Sequence, residues 1–450
     1  MADRTFPFVP KSIADLLPGQ FWAIRLSDGR FACGRVLRIS KPLKGLPNMF
    51  VAGLLDWVGA APPTGTTIAG ASLVEYGQAS IQMIQEAGDG VLGYRDLEAD
   101  GIIAPKGEEI KLIWGPTFAT ARAERRFVEG NPAPRWWLRD VRSPLTEEML
   151  SPFPAPRGSV QFKSMLTDAD FMRLAEWFQS HPDIALRAYG SYDGSISNLE
   201  FLRFFPTVRR FSADALYHSL QTIEGLRHLP ENLESLTIGW TKPKLDLAIL
   251  ARFKSLKALS LEGQTKEIAA ISRLTSLEEL TLRSITLPDL SLLLPLTELR
   301  ALDIKLGGTK DLSLLPRIGR LQYLELWMVK GLTNLTPVGQ LPHLRYLFLQ
   351  SLRRVEALPD FSHDVDLRRV HLEMMKGLRD LRPLATAPAL EQLVLMEMRQ
   401  LEPEDLRFLL ELPHLKGATV HLGSKRKTDA VEALLNLPNA TSLKGGWREV

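Results

Sequence analysis

Hydrolysis assisted by a divalent metal requires imidazole and carboxylate ligands at fixed spacing. The first histidine of the chain is His181, and the carboxylates before it, Asp28, Asp56, Glu75, Asp89 and Asp96 among them, show no such spacing. The remaining histidines, at 218, 228, 343, 363, 371, 414 and 421, are scattered in the same way. Cys33 is the single thiol. A cysteine nucleophile needs a neighbouring base, and with no histidine nearby Cys33 reads as a packing residue. Arg35 shares a strand face with Cys33, and reads as a surface arginine, with a partner contact as the alternative. Gly88-Asp89-Gly90 and Gly65-Thr66-Thr67 lack the strand–loop–helix context of a phosphate loop and read as turns. No catalytic residue, metal or cofactor is expected.

At 450 residues the chain exceeds one ordinary core, so two or more folding units are expected. Hydrophobic residues at 45% and charged residues at 24% exclude bulk disorder. A net charge of +3 gives no reason to expect a nucleic-acid partner, and the clusters Lys425–Arg426–Lys427 and Arg122, Arg125, Arg126 read as solvated surface. One cysteine excludes an internal disulfide, which makes a reducing cytosol the expected location. The start, Met1-Ala2-Asp3-Arg4-Thr5 with Pro7 and Pro10, holds no apolar signal segment. The most apolar stretch, Met49 to Ala61, is broken by Gly53, Asp56 and Gly59 and falls short of the roughly 20 residues a membrane helix needs. No membrane partner is expected.

The elements that could position a site emerge from a repeat. Leu233-Glu-Ser-Leu236-Thr-Ile238 recurs with leading residues at 256, 277, 299, 321, 344, 367, 390 and 415, spaced 21 to 25 residues apart. Two degenerate copies start at Leu186 and Val208. The pattern resembles the leucine-rich-repeat family over residues 183 to 445. Alternating apolar positions fit half-buried strands, and a second apolar set, such as Leu332, Leu335, Val338 and Leu341, fits helical turns on the convex side. Where the common family pattern places an asparagine after the strand, this chain has Thr241, Gln264, Ile285, Gly307, Val329, Leu352, Met375, Met398 and Gly423, which implies a drier turn. Thr167 with Asp170 marks a helix start, and residues 168 to 180 read as an amphipathic helix capping the first repeat. Asp429 to Asn436 reads as a cap on the last.

Strands stacked about 4.8 Å apart align the outward positions of three repeats into ladders: Tyr323–Tyr346–Arg369, Glu325–Phe348–His371 and Trp327–Gln350–Glu373. Aromatic residues with arginine are typical interface anchors. These eight residues other than Gln350 (Tyr323, Glu325, Trp327, Tyr346, Phe348, Arg369, His371 and Glu373) are the expected partner-binding set, with the aromatics solvent-exposed. The alternative is that they cover one another, or cover linker tryptophans.

Residues 1–130 read as a small β-rich domain. Gln20 to Leu26 and Arg30 to Ile39 form a hairpin around Asp28-Gly29; Met49 to Trp57, Ile110 to Trp114 and Phe118 to Phe127 read as further strands, with a helix near Ala79 to Ala87. Residues 131–160 carry six prolines and read as a stiff linker on which Trp136 and Trp137 dock against a neighbouring module. Residues 161–450 then form the solenoid. The expected fold is thus a small β-rich domain followed by an α/β leucine-rich-repeat solenoid with a parallel concave sheet.

The run from Leu17 to Leu37, with Pro18-Gly19, the strand to Leu26, Asp28-Gly29 and Gly34-Arg35-Val36, resembles the opening of the immunity protein 26 family. That resemblance spans residues 10 to 120 and implies a cytosolic protein that neutralises a bacterial polymorphic toxin by direct binding. The family also carries a phosphotriesterase label, so a hydrolase with a repeat scaffold is the alternative, and a repeat adaptor or regulator a third reading. The expected partner is a protein, with a toxin domain as the one the resemblance implies.

Overall fold

The computed structural model describes residues 5–39, 49–87, 89–105, 113–115, 118–130, 137–150, 158–440 and 446–450. The chain divides into two units, Met1–Pro134 and Arg135–Val450.

In the first unit the hairpin forms as its turn chemistry requires. Strands β1 (Gln20–Arg25) and β2 (Phe31–Ile39) pair antiparallel, continued by β3 (Met49–Gly59) and β4 (Leu73–Ser80). With β5 (Val91–Tyr94) and β6 (Ile113–Trp114) they make one sheet of order β5-β1-β2-β3-β4-β6. Both sheet faces are covered. Trp22, Ile24, Val36 and Phe50 pack on one side with α1 (Gln82–Glu86) and α2 (Phe118–Ala123), while Phe21, Cys33, Leu37 and Ile68 pack on the other. Trp22 faces Gly34 across the hairpin, and a Cβ at Gly34 would stand 2.2 Å from the indole ring. Residues 118–127, expected as a strand, are helical. Ala119, Ala121, Ala123, Glu124 and Arg125 are strong helix formers, and that composition prevails over the flanking phenylalanines. Of the expected strand 110–114, residues 110–112 lie outside the described residues.

The second unit is a solenoid built on a 13-stranded parallel sheet. Its strands follow chain order: β7 (Trp137–Asp140), β8 (Gly158–Phe162), β9 (Ile184–Tyr189), β10 (Arg210–Asp214) and β11 (Ser235–Ile238). Next come β12 (Ala258–Glu262), β13 (Glu279–Arg283), β14 (Ala301–Lys305) and β15 (Tyr323–Trp327). The last are β16 (Tyr346–Gln350), β17 (Arg369–Glu373), β18 (Gln392–Met396) and β19 (Gly417–Val420). Short 3-10 helices such as Thr336–Gln340 and Arg382–Thr386 return the chain on the convex side. Several open on a carboxylate or amide that accepts the N–H two residues on, as Asp289, Asp311, Asn334 and Asp380 do. One continuous leucine core runs through the array.

Segment 131–160, expected as a linker, contributes two strands of this sheet. β7 pairs parallel with β8, and β8 with β9. Both strands fall in the proline-free parts of the segment, since proline cannot donate to a ladder. Trp136 and the Trp137 side chain, expected to dock on a module, lie outside the described residues. The helix α3 (Asp168–Gln179) starts on Thr167, whose hydroxyl accepts from the Asp170 N–H at 3.2 Å. It lies between β8 and β9, so it is the return segment of a repeat with two strands preceding it, not the terminal cap. The copy expected to begin at Leu186 is shifted by three residues: Leu186 pairs with Phe211, and Phe211 with Leu236, so the copy begins at Asp183.

Seven strands, β10 and β13 to β18, exit through a left-handed residue other than glycine. Ala215, Ser284, Leu306, Met328, Ser351, Met374 and Glu397 all have φ between 50° and 57°. The next position then turns inward, where Ile285, Leu352, Met375 and Met398 are buried, the dry turn expected from their side chains. Thr241 and Gln264 are polar exceptions, also buried, with Gln264 donating to Thr241 Oγ1 at 2.9 Å and accepting from the Leu245 N–H at 2.9 Å. At the C-terminal end α4 (Lys425–Leu435) follows β19, and the chain then returns along that strand. The Ala418 N–H donates to Pro438 O at 2.9 Å and the Ala440 N–H to Thr419 Oγ1 at 3.0 Å.

Candidate functional site

Parallel pairing of β15, β16 and β17 places Tyr323 beside Tyr346 beside Arg369, Glu325 beside Phe348 beside His371, and Trp327 beside Gln350 beside Glu373. Within this frame the side chains bind one another. Tyr323 and Tyr346 meet edge to face at 5.1 Å, and the Arg369 guanidinium carbon lies 5.4 Å from the Tyr346 ring centroid. Phe348 and His371 stack at 4.2 Å. The Tyr323 hydroxyl donates to Glu325 at 2.8 Å, and Gln350 donates to Glu373 at 2.8 Å. Arg283, ion-paired with Glu262 at 3.0 Å, lies 5.2 Å from the Trp327 ring.

The aromatics were expected to be exposed. Tyr346 is buried at 8% exposure, as are Glu325 and Arg369 at 7% each, while Tyr323, Trp327, Phe348, His371 and Glu373 are half-buried. The reason is geometric: bulky side chains on strands about 4.8 Å apart must lie against one another. A further cover comes from the C-terminus. The Trp447 ring lies nearly parallel to Tyr323, with centroids 6.1 Å apart and planes 20° apart. Beside it, Arg448 Nε donates to Glu279 Oε1 at 3.0 Å, and its guanidinium stands 3.6 Å from Glu278.

Charges crowd the same surface. Lys305 bridges Glu325 at 2.8 Å and Asp303 at 3.7 Å, and Thr281 donates to Asp303 at 2.8 Å. Burial raises Asp303 to about 6, with Lys305 opposing. Burial also lowers His371 to about 4, assisted by Arg369, and raises the Tyr323 and Tyr346 hydroxyls above their usual range.

Sequence reasoning missed Asp303 and Lys305, which sit at outward positions of the neighbouring strand, and missed the C-terminal Trp447 and Arg448. It also missed Tyr217 and Trp240, exposed at 47% and 37% just after β10 and β11, with rings 5.7 Å apart. Their separation in sequence, close to one repeat, was a readable signal.

The first unit offers less. Arg35, read as a surface residue, is fully buried. It pairs with the equally buried Asp100 at 2.6 Å and donates to the carbonyls of Arg95 and Asp96, so no partner can reach it. Burial drives the Cys33 thiol far above its usual range, leaving no thiolate. The basic residues are engaged: Arg122 with Glu75, Arg126 with Asp56, and Arg125 with Glu129 at 3.9 Å. A cleft of about 650 Å³ between Leu17–Pro18, Leu37–Arg38 and Tyr94–Ala104 is lined by Asp96 and Glu98 and by no imidazole or thiol. Among the described residues, no group of three His, Cys, Asp or Glu side chains is placed to share a metal ion. Among them, too, no helix is long and apolar enough to cross a membrane.

A leucine-rich-repeat solenoid is what this architecture amounts to. Among solved structures it is similar to an internalin (inlF) from Listeria monocytogenes, with 16% identity, a TM-score of 0.42, and coverage of 64% of this chain and 79% of that one. It is similar to internalin C2 of the same organism at 23% identity and a TM-score of 0.31, covering 49% and 80%. A leucine-rich-repeat protein from Leptospira interrogans matches at 15% identity and a TM-score of 0.33, covering 66% and 92%. No family model matches the chain, and no curated protein does.

Proposed function

We propose that the chain is a non-enzymatic binding protein that holds a protein partner on the concave sheet face from β13 to β17. The observation that carries this reading is the belt of Tyr323, Trp327, Tyr346 and Phe348 on two adjacent strands, each ring fixed by a neighbour. Rings ordered before binding lose little further freedom on contact, which is how anchors contribute strongly. Glu325, Arg369 and His371 hold those rings, and the half-buried Glu373 supplies charge at the margin.

The partner is a bacterial toxin domain and the chain its cytosolic immunity protein. That finer reading is supported by the resemblance of Leu17 to Leu37 to the immunity protein 26 family.

The test is capture of partners from the source cell by tagged protein, followed by affinity measurement on the retained species. Changing Trp327→Ala together with Phe348→Ala is expected to weaken binding by about 2 kcal/mol or more, roughly thirty-fold. Leu324→Ala, a core change, is the control, costing about 2–5 kcal/mol of stability. Unchanged affinity in a well-folded double variant refutes the surface. If the retained species is a toxin, co-expression rescues growth; failure to rescue refutes the immunity reading.

A further inference from the structure

Trp447 and Arg448 form one compact unit, with the Arg448 guanidinium carbon 5.2 Å from the Trp447 ring centroid. The ring lies along Tyr323 while the guanidinium reaches Glu279 and Glu278, the Arg448–Glu279 contact spanning 169 residues of chain. The register of β13, β14 and β15 sets Glu279 beside Ala301 beside Tyr323. Two strand spacings, about 10 Å, therefore separate the acid from the ring. Ala301 between them is only 5% exposed although its side chain stands on the concave face. The result is a shallow seat with a small floor, a carboxylate pair at one side and an aromatic wall at the other. An aromatic residue next to an arginine matches it, the ring lying on Tyr323 and the planar guanidinium presenting its donors to the carboxylates. All five residues of β13, β14 and β15 pair in register through their own backbones, and Trp447 and Arg448 touch the side chains of Tyr323 and Glu279, so the tail relates to the sheet as a ligand does to its site.

The geometry points to a recognition site for a short partner segment that presents an aromatic ring beside an arginine, held in competition by the chain's own Trp447–Arg448. This inference rests on the concave face being the partner surface. A partner then meets only the fraction of molecules with the seat open, and its apparent affinity falls by that fraction.

The probe is a fluorescent synthetic peptide of residues 446–450, Gly-Trp-Arg-Glu-Val, titrated to millimolar concentration against full-length protein. The double variant Trp447→Ala with Arg448→Ala, whose own tail cannot fill the seat, is expected to bind the peptide at least ten-fold tighter than the unaltered chain. Adding Glu279→Lys to that variant is expected to abolish binding. Equal binding by the unaltered and double-variant proteins, binding by neither, or indifference to Glu279→Lys overturns the inference. The peptide measurement requires no partner, so it fails or succeeds separately from the capture experiment with Trp327→Ala and Phe348→Ala.

Discussion

The Phe348 ring and the His371 imidazole lie face to face, 4.2 Å apart with 12° between their planes. Stacked there and largely desolvated, the imidazole resists protonation and titrates near pH 4 in place of 6.5. The unfolded chain therefore binds a proton between these values while the native chain does not, so stability is present above pH 6.5 and lost as pH falls toward 4. At about 1.4 kcal/mol per unit, a shift from 6.5 to about 4 makes the complete loss about 3.5 kcal/mol. Asp303, raised to about 6, acts in the opposite sense over part of this window, so the measurement is a difference. Urea unfolding of wild type and His371→Phe should diverge in midpoint as pH falls from 7 to 4.5. Parallel profiles would show that His371 titrates normally.

Arg35 and Asp100 make a buried ion pair whose carboxylate also accepts from the Gly70 N–H and from Arg95. Burial works against the charged carboxylate, but these donors prevail and hold Asp100 at about 2. Asp100→Ala leaves the Arg35 cation buried without its ion-pair partner, and is expected to destabilise the first unit by about 3–5 kcal/mol. Replacing both residues, Arg35→Met with Asp100→Leu, should recover most of that loss. Thermal unfolding of the three proteins checks the order.

Met328 sits at φ 50° with an exposed side chain, so its conformation is imposed by the strand exit and not by its packing. Left-handed backbone costs a residue with a Cβ about 1–2 kcal/mol. Met328→Gly is expected to stabilise by up to about 1 kcal/mol, the gain being partly offset by the freedom of glycine in the unfolded chain. Met328→Val should destabilise by a similar amount. Calorimetric midpoints that rank valine above glycine would refute this.

Residues 135–450 expressed alone should unfold in one cooperative transition, because solenoid repeats rely on their neighbours. A fragment starting at residue 151 loses β7 and the buried Val141 and Leu145. At about 1.5–3 kcal/mol per buried side chain, it should lose about 3 kcal/mol or more. Equal urea midpoints for the two fragments would show that β7 adds nothing.

The repeat was legible because each copy carries its own strand and return within some 22 residues, so pattern and structure share one length scale. That is why the ladders from Tyr323 to Glu373 could be written from spacing alone. What escaped depends on distant partners. Arg35 reads as surface until Asp100, 65 residues on, is placed against it. Trp447 and Arg448 carry no periodic signal, and their seat lies 169 residues upstream of Arg448. In β7 and β8 the leucine signature is missing and prolines dominate the surrounding composition, which hid two strands inside an apparent linker.

The return of residues 438–440 along β19 has a consequence for assembly. A parallel sheet that ended bare would offer its last row of amides and carbonyls to any strand, the first strand of a second molecule included. Head-to-tail addition of that kind does not close on itself and grows into fibres. With the Ala418 N–H donating to Pro438 O and the Thr419 hydroxyl accepting from Ala440, part of that row is already occupied by the chain itself. A strand adding at this end would have to displace residues 438–440, three residues that belong to no repeat.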